Sequence, residues 1–63
     1  MSKIKEARLK AGISQATMSK MMDIPKRTIE AWETDVRKPP LYVEKLVVAE
    51  LTRIAESNTL EEK

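Results

Sequence analysis

The 63-residue chain contains neither cysteine nor histidine. Without cysteine it can form no disulfide and no thiolate metal site, and without histidine it lacks the commonest zinc ligand and general base. The remaining carboxylates, hydroxyls and lysines show no catalytic spacing. We therefore predict that the chain is not an enzyme, and that it has no metal site, no cofactor and no small-molecule ligand.

Long apolar runs are also missing from the chain. No stretch is long enough to cross a bilayer, and no charged-then-apolar leader is visible, so we expect a cytoplasmic protein with no membrane partner. A chain of this length is near the lower limit for folding on a single core, which leaves helix packing to supply the stability. We predict one domain over residues 1–57 and a flexible tail over residues 58–63.

Glycine occurs only once, as Gly12, and it marks the end of the first predicted helix. Ser2 is a suitable N-cap for that helix, and Gly12 suits the left-handed residue that follows its last turn. Ser14 then caps a second helix from about Gln15 to Met22. Apolar residues at helical spacing predict the buried faces: Ile4, Ala7 and Ala11 on the first helix, and Met18, Met21 and Met22 on the second.

A sharp turn and a third helix follow. Asp23 tolerates the left-handed backbone that the turn requires, and Pro25 is suited to open a helix. The third helix is expected to run to about Thr34, with Ile29 and Trp32 on its buried side, and Asp35 is expected to close it. We interpret Trp32 and the methionines as core residues rather than as ligand-binding residues.

The last predicted helix runs from Leu41 to about Ser57 and is apolar on more than one face. One face can cover the first three helices, and the surplus suggests a partner helix. We predict a homodimer, at least on DNA, through this helix, with a contact stripe of Val48, Leu51 and Ala55. The alternative is that the helix serves only its own core and that DNA spacing alone brings two monomers together.

Charge is distributed unevenly along the chain. Residues 1–38 carry nine Lys/Arg and five Asp/Glu, whereas residues 39–63 carry three and five. A basic front and an acidic back are expected if only the front of the chain meets phosphates.

Several spaced features stand out over roughly Ile4 to Pro39: Arg8, Gly12-Ile13-Ser14-Gln15, Thr28-Ile29, Trp32-Glu33 and Arg37-Lys38-Pro39. Together they resemble the Cro/C1-type helix-turn-helix family of phage and bacterial repressors. The chain departs from the family pattern at Asp23 and Asp35, where glycine is frequent, and at Thr17, where an acidic residue is frequent. The resemblance implies an all-α, compact, four-helix, lambda-repressor-like domain in which helices 2 and 3 form the helix-turn-helix and a long C-terminal helix follows.

A helix that reads DNA needs suitable side chains in its first turns. Here they are Lys26, Arg27, Thr28 and Ala31. Arg27 matches the O6 and N7 acceptors of guanine, Thr28 or Ala31 can touch a thymine methyl, and Lys26 suits either guanine or a phosphate. The alternative is that Lys26 and Arg27 are solvated surface charges.

Four further residues complete the predicted sites. The resemblance implies that Gln15 grips a phosphate while it braces a side chain of the third helix; a plain helix-start residue is the alternative. Arg37 and Lys38 follow the third helix and are expected to contact the DNA backbone. The resemblance also implies an ion pair between Arg8 and Glu33 that ties the first helix to the third.

These patterns predict a sequence-specific, double-stranded DNA-binding transcriptional regulator, specifically a small repressor from a phage, a mobile element or an operon. The alternative is a protein-interaction module of the antitoxin or antirepressor type that uses the apolar C-terminal helix. DNA binding is favoured if the acidic residues of that helix leave the basic face uncovered. The alternative is favoured if those acidic residues cover it.

Overall fold

The computed structural model describes the backbone of residues 2–61 and the side chains of residues 2–57. Within that range the chain forms four helices and no strand: α1 (Lys3–Ala11), α2 (Gln15–Met22), α3 (Lys26–Glu33) and α4 (Leu41–Glu61). The predicted all-α class, with a helix-turn-helix at α2 and α3 and a long last helix, is confirmed. None of the described helices is both long enough and apolar enough to span a bilayer.

The ends of α1 and α2 follow from the capping residues. The Ser2 Oγ accepts a hydrogen bond from the Lys5 amide at 3.2 Å, and the Ser14 Oγ accepts one from the Thr17 amide at 3.1 Å. Each bond satisfies an amide that has no partner within its helix. Gly12 ends α1 with a left-handed backbone at φ 73°.

The limits of α3 differ slightly from those predicted. Pro25 occupies the N-cap position, with ψ at 137°, instead of the first helical turn. The helix ends at Glu33, and Thr34 is its C-cap. Asp35 then adopts a left-handed backbone at φ 64°, which turns the chain toward α4.

One core joins all four helices. Its completely buried members are Ile4 of α1, Met18 of α2, Ile29 of α3 and Leu51 of α4. Ala7 and Ala11 are also buried on α1, and their small side chains allow α4 to approach closely. Trp32 packs against this core while keeping part of its surface exposed.

The predicted dimer stripe of α4 is wrong at Leu51, which is fully buried. Val48 packs against the core and keeps part of its surface exposed, and Ala55 is half-buried. The buried face of α4 consists of Val47, Leu51 and Ile54, spaced i, i+4 and i+7, and Leu51 lies at its centre. The exposed apolar side chains of α4 are instead Leu41, Tyr42 and Leu46.

Met21 is also placed wrongly by the sequence pattern. It is exposed, whereas Met18 is buried and Met22 is half-buried. Met18 and Met22 are four residues apart and share one face of a short helix, which leaves Met21 at the edge of that face. Met1 lies outside the described residues.

Helix α4 continues to Glu61, four residues beyond the predicted end at about Ser57. The side chains from residue 58 onward lie outside the described residues, as do residues 62 and 63 entirely. The predicted domain limit at residue 57 and the flexible tail therefore stay predictions.

Candidate nucleic-acid interface

The turn between α2 and α3 depends on one left-handed residue and on one side-chain hydrogen bond. Asp23 takes the left-handed conformation at φ 57°. The Ser19 hydroxyl donates to the Ile24 carbonyl at 2.6 Å, while the Ile24 amide donates to the Ser19 carbonyl at 3.2 Å. These two hydrogen bonds hold the turn in one conformation and so fix the direction of α3 relative to α2.

The first turn of α3 presents its side chains to solvent. Lys26 and Arg27 are exposed and Thr28 is half-buried, while Ile29 points into the core. Pro25 provides no side-chain cap for the helix. The partial positive charge at the start of a helix therefore adds to the charges of Lys26 and Arg27.

A groove of about 470 Å³ runs along α3 and the loop that follows it. We call it the α3 groove. Five of the seven predicted DNA-binding residues line it, and none of its lining residues is acidic. The full lining is Arg27, Thr28, Ala31, Trp32, Arg37, Lys38, Pro39 and Pro40.

The α3 groove exists because the loop after α3 folds back onto the helix. The left-handed Asp35 reverses the chain, and the amides of Val36 and Arg37 both donate to the Ala31 carbonyl, at 3.0 and 3.2 Å. These bonds hold the backbone of Arg37 against α3, and the side chains of Arg37 and Ala31 both line the α3 groove. Residues that are six apart in sequence thus form one surface.

The cations of the α3 groove are not neutralised by acids of α4. Among the side chains that the structure describes, the ion pairs are Arg8–Glu33 and Glu50–Arg53. Glu44 of α4 shares a neighbouring cavity with Lys38 but does not line the α3 groove. Arg27, Arg37 and Lys38 therefore line a groove that contains no acid, whereas Lys26, which was expected to share their face, does not line it.

Lys26 and Gln15 lie outside the α3 groove. Lys26 is exposed at the start of α3. Gln15 is half-buried, and its Nε2 donates to Glu33 Oε1 at 2.9 Å. The structure thus gives Gln15 a bracing contact with α3, and its contact with a phosphate stays a prediction.

Arg8 and Glu33 form an ion pair between α1 and α3. Arg8 Nε lies 2.8 Å from Glu33 Oε2, and Nη2 lies 3.1 Å from Oε1. Arg8 Nη1 also donates to the Ile13 carbonyl at 2.8 Å. With Gln15 added, the carboxylate of Glu33 connects α1, α2 and α3. We call Arg8, Gln15 and Glu33 the clamp.

The clamp is well shielded from water, since the side chains of Arg8 and Glu33 are 11% and 3% exposed. Burial on its own raises the pKa of Glu33. The hydrogen bonds from Arg8 and Gln15, with the charges of Arg8 and Lys5, outweigh burial and lower that pKa below its ordinary value. The pKa of Arg8 is raised, chiefly by its hydrogen bond to Glu33. Both groups are therefore charged at neutral pH.

Some features of this surface were missed by sequence reasoning. The bond from Ser19 to the turn and the folded-back loop both depend on tertiary geometry, whereas the bracing contact of Gln15 with a side chain of α3 was expected and that side chain is Glu33. The loop alone had a usable signal, because aspartate at position 35 suits a left-handed residue. No cluster of three or more acidic residues able to hold a metal ion occurs in the described part of the chain.

Comparison with family models gives a match over residues 4–43 to the family described as Helix-turn-helix. This match covers α1, the α2–α3 unit, the folded-back loop and the start of α4. No curated protein and no solved structure matches the chain.

Proposed function

The chain belongs to the Cro/C1-type helix-turn-helix family of DNA-binding regulators, and we propose that it is a repressor that binds a specific double-stranded DNA sequence. The observation that carries this proposal is the α3 groove. It combines cations for phosphates with small and hydroxyl side chains for base edges, and no acid lines it. We further propose a phage, mobile-element or small-operon origin and a cytoplasmic site of action.

In this proposal α3 enters the major groove with its first turns. Arg27 forms a bidentate pair with guanine, while Thr28 and Ala31 touch thymine methyl groups. Both small side chains are half-buried and line the α3 groove together with Arg27. Lys26 contacts either a guanine or a phosphate at the start of the helix.

The DNA backbone is held on two sides of α3. Arg37 and Lys38 contact it from the folded-back loop, and Gln15 contacts it from the start of α2. Gln15 donates one amide hydrogen to Glu33 and has a second available for a phosphate oxygen. Such contacts fix the register of the helix in the groove, and the base contacts supply the sequence preference.

One helix-turn-helix unit reads one half-site. We propose that two copies bind together, at least on DNA, with half-sites about 34–36 Å apart. Repression then follows from steric exclusion of RNA polymerase where the site overlaps a promoter.

Selection of a random double-stranded DNA library with the purified chain tests sequence-specific binding. We expect enrichment of one motif, and Arg27→Ala should lose the preference at one base position and about 1–3 kcal/mol of specific binding free energy. Lys10→Ala is the matched control, because it removes an exposed cation of α1 that does not line the α3 groove. Equal effects of both variants contradict the role of Arg27.

A reporter assay tests whether the chain represses or activates transcription. The selected site is placed across a promoter, and expression should fall when the chain is produced. A rise in expression contradicts repression but leaves DNA binding intact, whereas an unenriched library contradicts sequence-specific binding itself.

A further inference from the structure

The three methionines of α2 differ widely in their access to solvent. Met18 is completely buried, Met22 is half-buried, and Met21 is 54% exposed. Since the chain contains no cysteine, the thioethers of methionine are its only sulfur groups. Peroxides oxidise a methionine thioether to a polar sulfoxide. The accessible methionines of α2 are therefore candidate modification sites.

Met21 and Met22 both line a second groove, of about 320 Å³, which lies between α2 and α4. We call it the α2–α4 groove. Met18 does not line it. The other lining residues are Ile24, Leu46, Val47 and Glu50. A small oxidant such as hydrogen peroxide can therefore reach the side chain of Met22 through this groove while the helix stays packed.

Met22 connects the end of α2 to the shared core. Helix α2 packs chiefly against α3, and α4 packs chiefly against α1. Met22 packs against the core cluster that contains Met18 of α2 and both Val47 and Leu51 of α4. It is also the last residue of α2, directly before the left-handed Asp23 that begins the turn to α3. A polar group at Met22 therefore acts on the packing of α2 and on the turn together.

We propose that Met22 is a peroxide-sensitive site whose oxidation loosens α2 from the core and thereby lowers DNA binding. The thioether sulfur takes one oxygen from hydrogen peroxide: an S–O bond forms, the O–O bond breaks, and the second oxygen leaves as water with both hydrogens. The sulfur loses two electrons, and the peroxide is reduced. The sulfoxide oxygen then lies among the apolar side chains that line the α2–α4 groove, where it costs stability unless it finds a hydrogen-bond donor.

The other two methionines of α2 are expected to behave differently. Met21 oxidises first, because its side chain is the most exposed, and a sulfoxide there stays hydrated and costs little stability. Met18 stays reduced in the folded chain, because it is 0% exposed. The expected order of oxidation is therefore Met21 and then Met22, and only the second step destabilises the fold.

Peptide mapping of the peroxide-treated wild type tests this order and needs no variant. Trypsin cleaves after lysine, which places Met18 on residues 11–20 and both Met21 and Met22 on residues 21–26, where fragment ions separate them. We expect sulfoxide at Met21 and Met22 while Met18 stays reduced. A reduced Met22 beside a fully oxidised Met21 overturns the proposal. Equal oxidation of Met18 and Met22 also overturns it, because that result indicates global unfolding instead of access through the groove.

Met22→Leu tests the effect on stability, with Met21→Leu as the matched control. Leucine is similar to methionine in volume and cannot form a sulfoxide. Peroxide should lower the melting temperature of the wild type and of Met21→Leu by about 4–8 °C or more, and leave that of Met22→Leu unchanged. Treatment with methionine sulfoxide reductases should restore the wild type. Oxidation of Met1 is common to all three proteins and cancels in the comparison. An equal loss in Met22→Leu contradicts the assignment, as does a wild type that keeps its melting temperature once Met22 is oxidised.

The effect on DNA binding rests on the proposed function, in which the α2–α3 unit reads DNA. The apparent affinity of the oxidised wild type for the selected site should fall in proportion to its folded fraction at the assay temperature, while Met22→Leu keeps its affinity. An affinity that peroxide leaves unchanged in the wild type overturns the link to DNA binding. If the untreated chain binds no DNA at all, the proposed function fails, and the peptide map and melting temperatures still decide whether Met22 is a peroxide-sensitive site.

Discussion

Replacing Glu33 by glutamine should destabilise the whole domain, although the side chains are almost equal in size. The carboxylate accepts hydrogen bonds from Arg8 Nε, Arg8 Nη2 and Gln15 Nε2. A glutamine amide offers one acceptor oxygen and places an NH₂ group against these donors. Arg8 then keeps a shielded positive charge without its ion-pair partner, although its hydrogen bond to the Ile13 carbonyl remains.

The cost can be estimated from the burial of the pair. Removing one partner of a buried ion pair costs about 3–5 kcal/mol. Because Arg8 keeps its bond to Ile13 and is 11% exposed, we expect about 3 kcal/mol, the lower end of that range. Domains of this length unfold with a free energy of about 3–9 kcal/mol. A loss of that size lowers the melting temperature by roughly 12–24 °C.

Thermal and urea unfolding of four proteins measures the interaction: the wild type, Glu33→Gln, Arg8→Met and the double variant. The double variant should lose much less than the sum of the two single losses, because removing both charges leaves no uncompensated ion. Strictly additive losses, or a Glu33→Gln melting temperature within 2–3 °C of wild type, would refute the clamp as a stabilising contact.

The pH dependence provides an independent check. The pKa of Glu33 is lower in the folded chain than its ordinary value of 4.5. Its contribution to stability is therefore fully present above pH 4.5 and is lost as pH falls through the lowered folded pKa. Glu33→Gln removes this titration, so the gap in unfolding free energy between wild type and variant should narrow in acid. A gap that stays constant down to pH 2 contradicts the role of the charge.

Two further predictions follow from single residues. Lys38→Ala should weaken binding to all DNA sequences alike, since one phosphate contact is lost. The slope of log affinity against log salt concentration should fall in magnitude by about 1. A selective change in preference at one base position contradicts a phosphate contact. Gly12→Ala should cost about 1–2 kcal/mol in urea unfolding, because Gly12 has φ 73° while an added Cβ meets nothing within 4 Å. Unchanged stability in that variant means that the left-handed strain is absorbed by the loop.

The local signals in the sequence predicted the helix ends well. Ser2, Gly12 and Ser14 act on neighbouring backbone amides and carbonyls, so their effects depend little on the rest of the fold. The limits of α1 and α2 were accordingly right. Pro25 was expected to open α3, and it does so from the N-cap position.

The packing of α4 could not be read from the sequence in the same way. Its apolar residues occur on several faces, and only contact with α1 decides which of them are buried. Ala7 and Ala11 have small side chains, which allow α4 to pack closely against α1, and Leu51 is buried in this contact. The surplus apolar surface lies on the helix where it was predicted, but its exposed side chains are Leu41, Tyr42 and Leu46, and Leu51 of the predicted stripe is buried.

The clamp and the α3 groove are linked through the end of α3. Glu33 is the last residue of that helix, and the left-handed Asp35 two residues later turns the chain back so that Arg37 is held by the Ala31 carbonyl. The position of Arg37 and Lys38, the proposed phosphate contacts, relative to Arg27 therefore depends on where the clamp holds the helix end. Base-reading and phosphate-binding residues must act at a fixed spacing to recognise one sequence. Under the proposed function, the contacts of Arg8 and Gln15 with Glu33 thus contribute to recognition by fixing that spacing before DNA is bound.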